Sequence, residues 1–556
     1  MSGEPSTGRA LLHRFKTLGI DYLFANSGTD FPPLIEALAG GDVAAMPQPL
    51  VMPHEHAAMG MAHGYTLATG KPQAVMVHTN VGLANAAIGA LNAAYDQIPM
   101  ILCSGRTPAT ESGRLGSRSN PINWGQEMRD QAALVREVVK WDYELRFPEQ
   151  VYDVVDRAWA IAMSQPRGPV YLSLPREVLS APCPPPLQPA PTLVPVQIGP
   201  VHKDVARAAE ILTAAERPLF IVQRGAGGAV GFATLAGLVE RWSIPVAQFW
   251  PLQLAIASDH AMNAGYDPAP WLVEADAVLV INALTPWAPS QVSPPDDCKV
   301  IHIGPDPLFT RYPIRGFRAD VTVAGEVAAV LAALDAEMGT PGELTRRAHV
   351  AGRCAEIRSA AEAEAAAGRG APMTKAWAAQ CVSDLLAEHD GVLFTELGCP
   401  TANMTLRHAE AFYQEPHSGG LGWGFPAALG RRLAEPGRLV VATVGDGSYI
   451  FANPTACHQI AEALDLPILL VVLNNAAWDA VRRATLEIFP DGHAARANAM
   501  PLTSLAPTPD FAKLAEAHRA WSQTVEAGRE LPAALAHAAQ VVLKERRLAL
   551  LEVRVS

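Results

Sequence analysis

Short apolar runs separated by helical stretches set the rhythm of this chain. "PQAVMVH" (72–78) reads as a strand, "GLANAAIGALNAAY" (82–95) as a helix and "PMILCSG" (99–105) as a second strand. The alternation returns at "PLFIVQ" (218–223), "IPVAQF" (244–249), "AVLVIN" (277–282) and "KVIHIG" (299–304). It returns again at "RLVVATV" (438–444), a helix over 454–464, and "PILLVVL" (467–473). Strands that are apolar on both faces, alternating with helices, belong to parallel sheets covered on both sides. The pattern predicts an α/β fold of three open, doubly wound parallel-sheet domains. Two breaks divide it. "SAPCPPPLQPAPTLVPVQIGP" (180–200) is too rich in proline for regular helix. Residues 338–372 hold a helical stretch, "RRAHVAGRCAEIRSAAEAEAAA", bracketed by Gly and Pro. The expected domains are therefore 1–182, 200–338 and 372–556. Ligands on such sheets sit beyond the carboxyl ends of the strands.

Composition narrows the class. A chain of 556 residues is too long for one core, and 49% apolar with 18% charged residues is a globular balance. A net charge of −12 argues against nucleic-acid binding, which needs a basic footprint. Seven scattered cysteines show no CxxC pair and no zinc spacing, so reduced thiols are expected. The N-terminal segment has no long apolar stretch, and "LPILLVVL" (466–473) is too short to span a bilayer. The expectation is a cytoplasmic protein with no membrane partner.

Candidate chemistry gathers at strand ends. "LVMPHEHAAMG" (50–60) puts Glu55 between two histidines at an apolar strand-to-helix junction, with small residues behind it. A carboxylate there is costly unless a neighbouring histidine or a ligand pairs with it. "VVATVGDGSYIF" (440–451) ends a strand in Gly445, Asp446 and Gly447, where backbone N–H groups can approach an anion. "VLNNAAWDA" (472–480) ends the next strand in Asn474 and Asn475. Either piece alone is a common turn. Paired across one β-α-β unit, they bring a carboxylate and an amide oxygen to one point. That suits Mg²⁺, which takes its other oxygens from phosphate and water.

This pairing resembles the GDG…NN motif of the thiamine diphosphate (ThDP) enzymes, with a slightly longer gap. "HSGGLGWGFPAALG" (417–430) resembles the same family, benzoylformate decarboxylases in particular. "ATGKP" and "QIPMI" are shared with acetolactate synthases. The resemblance implies metal ligands at Asp446, Asn475 and the carbonyl of Ala477, and cofactor contacts at Gly445, Asp446, Gly447 and Ser448. It implies that Leu421 is the wedge that bends the cofactor, the alternative being an ordinary core leucine. "FTELGCPTANM" (394–404) is similar to the diphosphate-side loop, with Gly398 and Cys399 where hydroxyl residues are common. "PHEHAAMGMAHGYTLATGKP" (53–72) aligns Glu55 with the glutamate that contacts the aminopyrimidine ring. His54 is then positional, and His56 lines the pocket or faces a partner subunit. "FANSGTDFPPLIEAL" (24–38) puts Thr29 at a substrate-binding hydroxyl position, and "VHTNVGLANAAIG" puts His78 at an active-site histidine. A histidine at a strand end can exchange protons near neutral pH; the alternative is a histidine bonded to a backbone carbonyl.

The central stretch "VINALTPWAPSQ" (280–291) lacks the histidine that benzoylformate decarboxylases use, and Trp287 is expected there as an aromatic wall. "INWGQEMRDQ" (122–131) is placed to fold over the site. "QRGAGGAVG" (223–231) is a Gly-rich turn where relatives hold FAD or ADP; without a full fingerprint it reads as an empty or vestigial site. Together these imply a ThDP- and Mg²⁺-dependent enzyme acting on a 2-oxo acid or aldehyde, first as a non-oxidative decarboxylase. The alternatives are an acetolactate-synthase-like carboligase, a CoA-thioester decarboxylase or lyase, and a protein that kept the fold without catalysis. The two halves of the family's site come from two chains, so a homodimer or homotetramer is implied.

Overall fold

The computed structural model describes residues 5–40, 42–184 and 193–556. Part of the proline-rich stretch predicted over 180–200, namely 185–192, lies outside the described residues. Three parallel sheets follow one another along the chain. The first is built from β1 (Tyr22–Ala25), β2 (Gln48–Val51), β3 (Gln73–Val77), β4 (Met100–Arg106), β5 (Asp142–Glu144) and β6 (Pro169–Pro175), in the order β2-β1-β3-β4-β6-β5. The second contains β7 (Pro218–Val222), β8 (Val246–Ala247), β9 (Ala277–Ile281), β10 (Lys299–Gly304) and β11 (Val321–Ala324), in the order β11-β10-β9-β7-β8. The third contains β12 (Val392–Glu396), β13 (Phe412–Gln414), β14 (Val440–Gly445), β15 (Leu469–Asn474), β16 (Trp521–Val525) and β17 (Ala549–Arg554), in the order β13-β12-β14-β15-β17-β16. Every strand pair is parallel, for example β14 with β15, where Gly445 stands opposite Leu473. This is the predicted doubly wound α/β architecture, three times over.

The interior strands are buried except at single end residues such as Lys299 of β10, and β15 is buried along its whole length, as the run "LLVVLN" requires. The six-residue run 244–249 forms only the two-residue β8, because Val246 N–H turns to the Met262 carbonyl at the sheet edge. The helix predicted between the second and third sheets runs Arg347–Ala367 and is no free linker: Val350 and Cys354 lie in the core of the second sheet.

The outer sheets share a core. One apolar cluster joins Phe24, Val75 and Leu102 of the first to Phe394, Val444 and Leu470 of the third. The contact is a crossing of two helices, Glu55–Thr69 and Gly424–Ala434. At Gly64 a Cβ would collide with the Ala427 carbonyl, and at Gly430 one would collide with the Met61 carbonyl. Only glycine lets the two backbones touch here. The small residues behind Glu55 are explained by this seam. The second sheet keeps its own core, in which Trp287 is buried against Phe317 with ring centroids 5.1 Å apart. Trp287 is therefore a core residue, and the expected aromatic wall is not formed by it.

Candidate active site

In the first sheet, Glu55 is the first residue of its helix, four residues past Val51 at the end of β2. Neither neighbouring histidine pairs with it. Its Oε2 accepts from Asn85 Nδ2 at 3.1 Å, and Gly82 keeps the approach open, since a Cβ there would stand 3.2 Å from Oε1. His56 turns the other way. Its Nε2 meets the Leu421 carbonyl at 3.0 Å, and burial pushes its pKa down to about 4, so it stays neutral.

His78 follows β3 at the start of the Thr79–Tyr95 helix. Its Nδ1 lies 2.5 Å from Asp30 Oδ1 and its Nε2 lies 3.1 Å from Gln126 Nε2. The bond to Asp30 raises the His78 pKa against the opposing effect of burial. Asp30 is itself buried, fitted between His78 and Gly105, where any Cβ would collide with its carboxylate. His78 is thus bonded to a carboxylate rather than to the backbone carbonyl of the alternative reading. Gln126 belongs to the 122–131 segment, which reaches this strand end. Thr29 is exposed in the same loop, and its carbonyl accepts from Arg176 Nη1 at 2.9 Å.

At the corresponding edge of the third sheet, Gly445 ends β14 and Asp446 opens the helix Asp446–Phe451. Asp446 is 3% exposed. Its Oδ1 accepts from Gly447 N at 2.9 Å, while its Oδ2 is buried with no hydrogen-bond partner among the described residues. Burial raises its pKa; the amides of Gly447, Ala476 and Ala477 act against that. A buried carboxylate oxygen without a donor is the vacancy that a cation satisfies. The neighbouring Asn475 Oδ1 accepts from Ala477 N at 3.2 Å, and the Ala477 carbonyl accepts from Asp479 N at 2.9 Å. Both oxygens retain a second lone pair. Among the described residues no three His, Cys, Asp or Glu side chains gather into a metal cage. One carboxylate, one amide and one carbonyl is instead a set that suits Mg²⁺ completed by phosphate. Ser448 Oγ is likewise buried, within reach of the Glu396 carboxylate.

The turn carrying Leu421 is held on both sides. Glu396, at the end of β12, accepts from Gly422 N and Gly424 N, both at 2.6 Å. From the first sheet's helices, Asn92 Nδ2 donates to the Gly420 carbonyl at 2.8 Å and Ser418 Oγ donates to Asn92 Oδ1 at 2.6 Å. Leu421 is half-buried and belongs to none of the apolar clusters, unlike an ordinary core leucine. Burial raises the Glu396 pKa to about 7, and the neighbouring Glu415 is raised well above the ordinary carboxylate range by burial and by Glu396. Gly398 passes so close to β14 that a Cβ would stand 2.6 Å from the Thr443 carbonyl. Cys399 is buried, with its thiol pushed up to about 12.

Sequence reasoning missed Asp30, Asn85, Gln126 and Glu396. Asp30 carried one signal, a carboxylate one residue beyond Thr29 in a loop already singled out. In the second sheet, the turn Arg224–Gly228 borders a cleft of about 400 Å³. The Glu326 carboxylate stands within it: Oε1 would lie 3.0 Å from a Cβ at Gly227, and Oε2 accepts from Ala329 N at 3.0 Å.

Comparison with known proteins agrees with this geometry. Residues 5–134 match "Thiamine pyrophosphate enzyme, N-terminal TPP binding domain", 205–334 the central domain and 396–553 the C-terminal TPP binding domain of the same family. The chain belongs to the thiamine pyrophosphate (thiamine diphosphate) enzymes. Among its relatives, "Probable 2-ketoarginine decarboxylase AruI" of Pseudomonas aeruginosa is 28% identical, covering 92% of this chain and 88% of its own. A benzoylformate decarboxylase of the same organism is 28% identical over 77% of this chain and 79% of its own. An acetolactate synthase large subunit of Parasynechococcus marenigrum is 26% identical over 87% and 78%. The structure of benzoylformate decarboxylase from Polynucleobacter necessarius shares the fold, with a TM-score of 0.80 at 22% identity over 99% of both chains.

Proposed function

We propose that this chain is a ThDP- and Mg²⁺-dependent enzyme that removes CO₂ from a 2-oxo acid without oxidation. Bound ThDP supplies a nucleophilic carbon and an electron sink for the bond beside the carbonyl. The chain supplies position and protons. Asp446, Asn475 and the Ala477 carbonyl would hold the metal. Gly445, Gly447, Ser448 and the backbone of Gly398 and Cys399 would receive the diphosphate. Leu421 would support the bent cofactor, and Glu55, oriented by Asn85, would bond its pyrimidine ring. Residues 1–182 then form the pyrimidine-binding unit and 372–556 the diphosphate-binding unit.

The observation that carries decarboxylation is His78 bonded to Asp30. Converting a 2-oxo acid to an aldehyde and CO₂ consumes one proton per turnover, whereas joining two carbonyl compounds puts a second molecule at the same carbon. A histidine whose pKa is held above that of a free imidazole by a buried carboxylate is suited to give a proton. Thr29, exposed in the Asp30 loop, would meet the substrate. The test supplies purified holoenzyme with 2-oxo acids bearing aromatic, aliphatic and guanidino side chains, and follows CO₂ release against 2-hydroxyketone formation. Aldehyde and CO₂ in equal amounts support the reading; a 2-hydroxyketone as main product assigns the chain to carboligation instead.

The family relationship and the bare apolar surface support a homodimer or homotetramer. Val81, Ile88 and Leu91 are exposed on one helix, and the helix Asp479–Ile488 buries no residue within its own chain. Glu326 at the Gly-rich turn disfavours a phosphate there, which supports a central unit without FAD or ADP. Seven buried cysteines, none in a disulfide among the described residues, fit a cytoplasmic location. No helix among the described residues is long and apolar enough to cross a membrane.

A further inference from the structure

One cation at the carboxyl edge of the third sheet has no hydrogen-bond or ion-pair partner among the described residues. Lys375 opens the helix Lys375–His389, directly after the N-cap Thr374, whose hydroxyl accepts from Trp377 N at 3.2 Å. Met373 is bridged to Val555, and its carbonyl accepts from Ser556 N at 2.9 Å. These bonds fix the helix start at the end of β17, on the edge that carries Asp446 and Asn475. Among the described residues the Lys375 ammonium makes no hydrogen bond and no ion pair. The ionisable groups within its electrostatic reach are Asp479, Arg483, Asp446 and Cys399, and burial lowers its pKa. Asp479 is already engaged, with Arg482 at 3.0 Å and Arg483 at 3.2 Å. Among the described residues Asp446 has no ion pair and keeps one carboxylate oxygen unsatisfied.

The loop that faces this group is short of donors. Gly398 has no room for a side chain, and the Cys399 thiol is buried and neutral. A diphosphate arriving here meets the Asp446 carboxylate, and one divalent cation offsets only part of the combined negative charge. A half-buried ammonium with no competing partner is placed to offset more, and charge-assisted bonds to phosphate are among the stronger ones.

We propose that Lys375 is the second cation of the diphosphate site, donating its ammonium protons to phosphate oxygens that the Leu397–Cys399 loop leaves without hydroxyl donors. This rests on the cofactor reading given above. The test titrates ThDP into metal-loaded apoprotein and follows tryptophan fluorescence, Trp478 being packed on Gly447, with circular dichroism checking each fold. Lys375→Met should weaken ThDP binding about 10- to 100-fold, and Lys375→Arg should restore it to within a few-fold of wild type. Lys375→Gln serves as the neutral variant if Lys375→Met misfolds. Neutral variants that bind ThDP within two-fold of wild type overturn the assignment, as does an Arg variant no better than Met. Wild-type protein that binds no ThDP with Mg²⁺ present overturns the cofactor reading itself, and the Lys375 assignment with it.

Discussion

Asp30 decides what His78 can do. With Nδ1–H donated to the carboxylate, the unprotonated Nε2 accepts from Gln126 Nε2, and gaining a proton there makes the ring cationic beside a buried anion. The pKa is raised, so the donor form persists to higher pH than in a free imidazole and is lost as pH rises past it. Turnover should therefore fall on the alkaline side. Asp30→Asn removes the anion and should move that fall to lower pH, which a pH profile of kcat/KM measures. His78→Ala should lower kcat about 100-fold, in the range for loss of a general acid. Glu55→Gln should cost a similar factor in ThDP-dependent turnover while circular dichroism stays unchanged. At this scale the sequence was informative only where residue type and local spacing coincide. Glu55, Asp446 and Asn475 stand in short stretches that announce them. Asp30 lies 48 residues from His78, and Glu396 lies 26 from the glycine amide it holds. Their importance comes from partners that only the folded chain brings near.

The crossing of the helices Glu55–Thr69 and Gly424–Ala434 is set by glycine. Replacing Gly64 or Gly430 with valine would force backbones apart along the seam shared by the outer sheets. Either change should destabilise by about 3 kcal/mol or more, since close packing leaves no room to relax; a denaturant titration against wild type would read it. Strand positions were legible because unbroken apolar runs bounded by Gly and Pro match fully buried parallel strands. What stayed hidden was pairing at the edges. The run 244–249 looks as strong as its neighbours, yet only two of its residues join the ladder. Trp287 shows the same limit: its place in the chain suggested a pocket wall, and its burial against Phe317 makes it part of a core.

At the level of the whole molecule, Glu55 and Asp446 stand on different sheets of one chain, and no hydrogen bond or ion pair joins their groups among the described residues. If each cofactor bridges two chains, mixing inactive Glu55→Gln with inactive Asp446→Ala should restore about a quarter of wild-type activity. Random pairing makes half the dimers mixed, and each mixed dimer holds one intact site of two. A site built within one chain would regain nothing, and the assay distinguishes the two directly. Cofactor binding should also appear in stability. ThDP with Mg²⁺ at about 100 times Kd should add about 2.7 kcal/mol to unfolding. A chelator, or Asp446→Ala, should abolish the gain, as a thermal melt would report.

The seam between the outer sheets also has a consequence for biosynthesis. A ribosome that has just released the Glu55–Thr69 helix must still add several hundred residues before Gly424 emerges, which at about 5–20 residues per second takes tens of seconds. Through that interval the glycine-lined face has nothing to lie against, so the nascent N-terminal lobe waits half-finished for the last third of its own chain and is a natural client for chaperones.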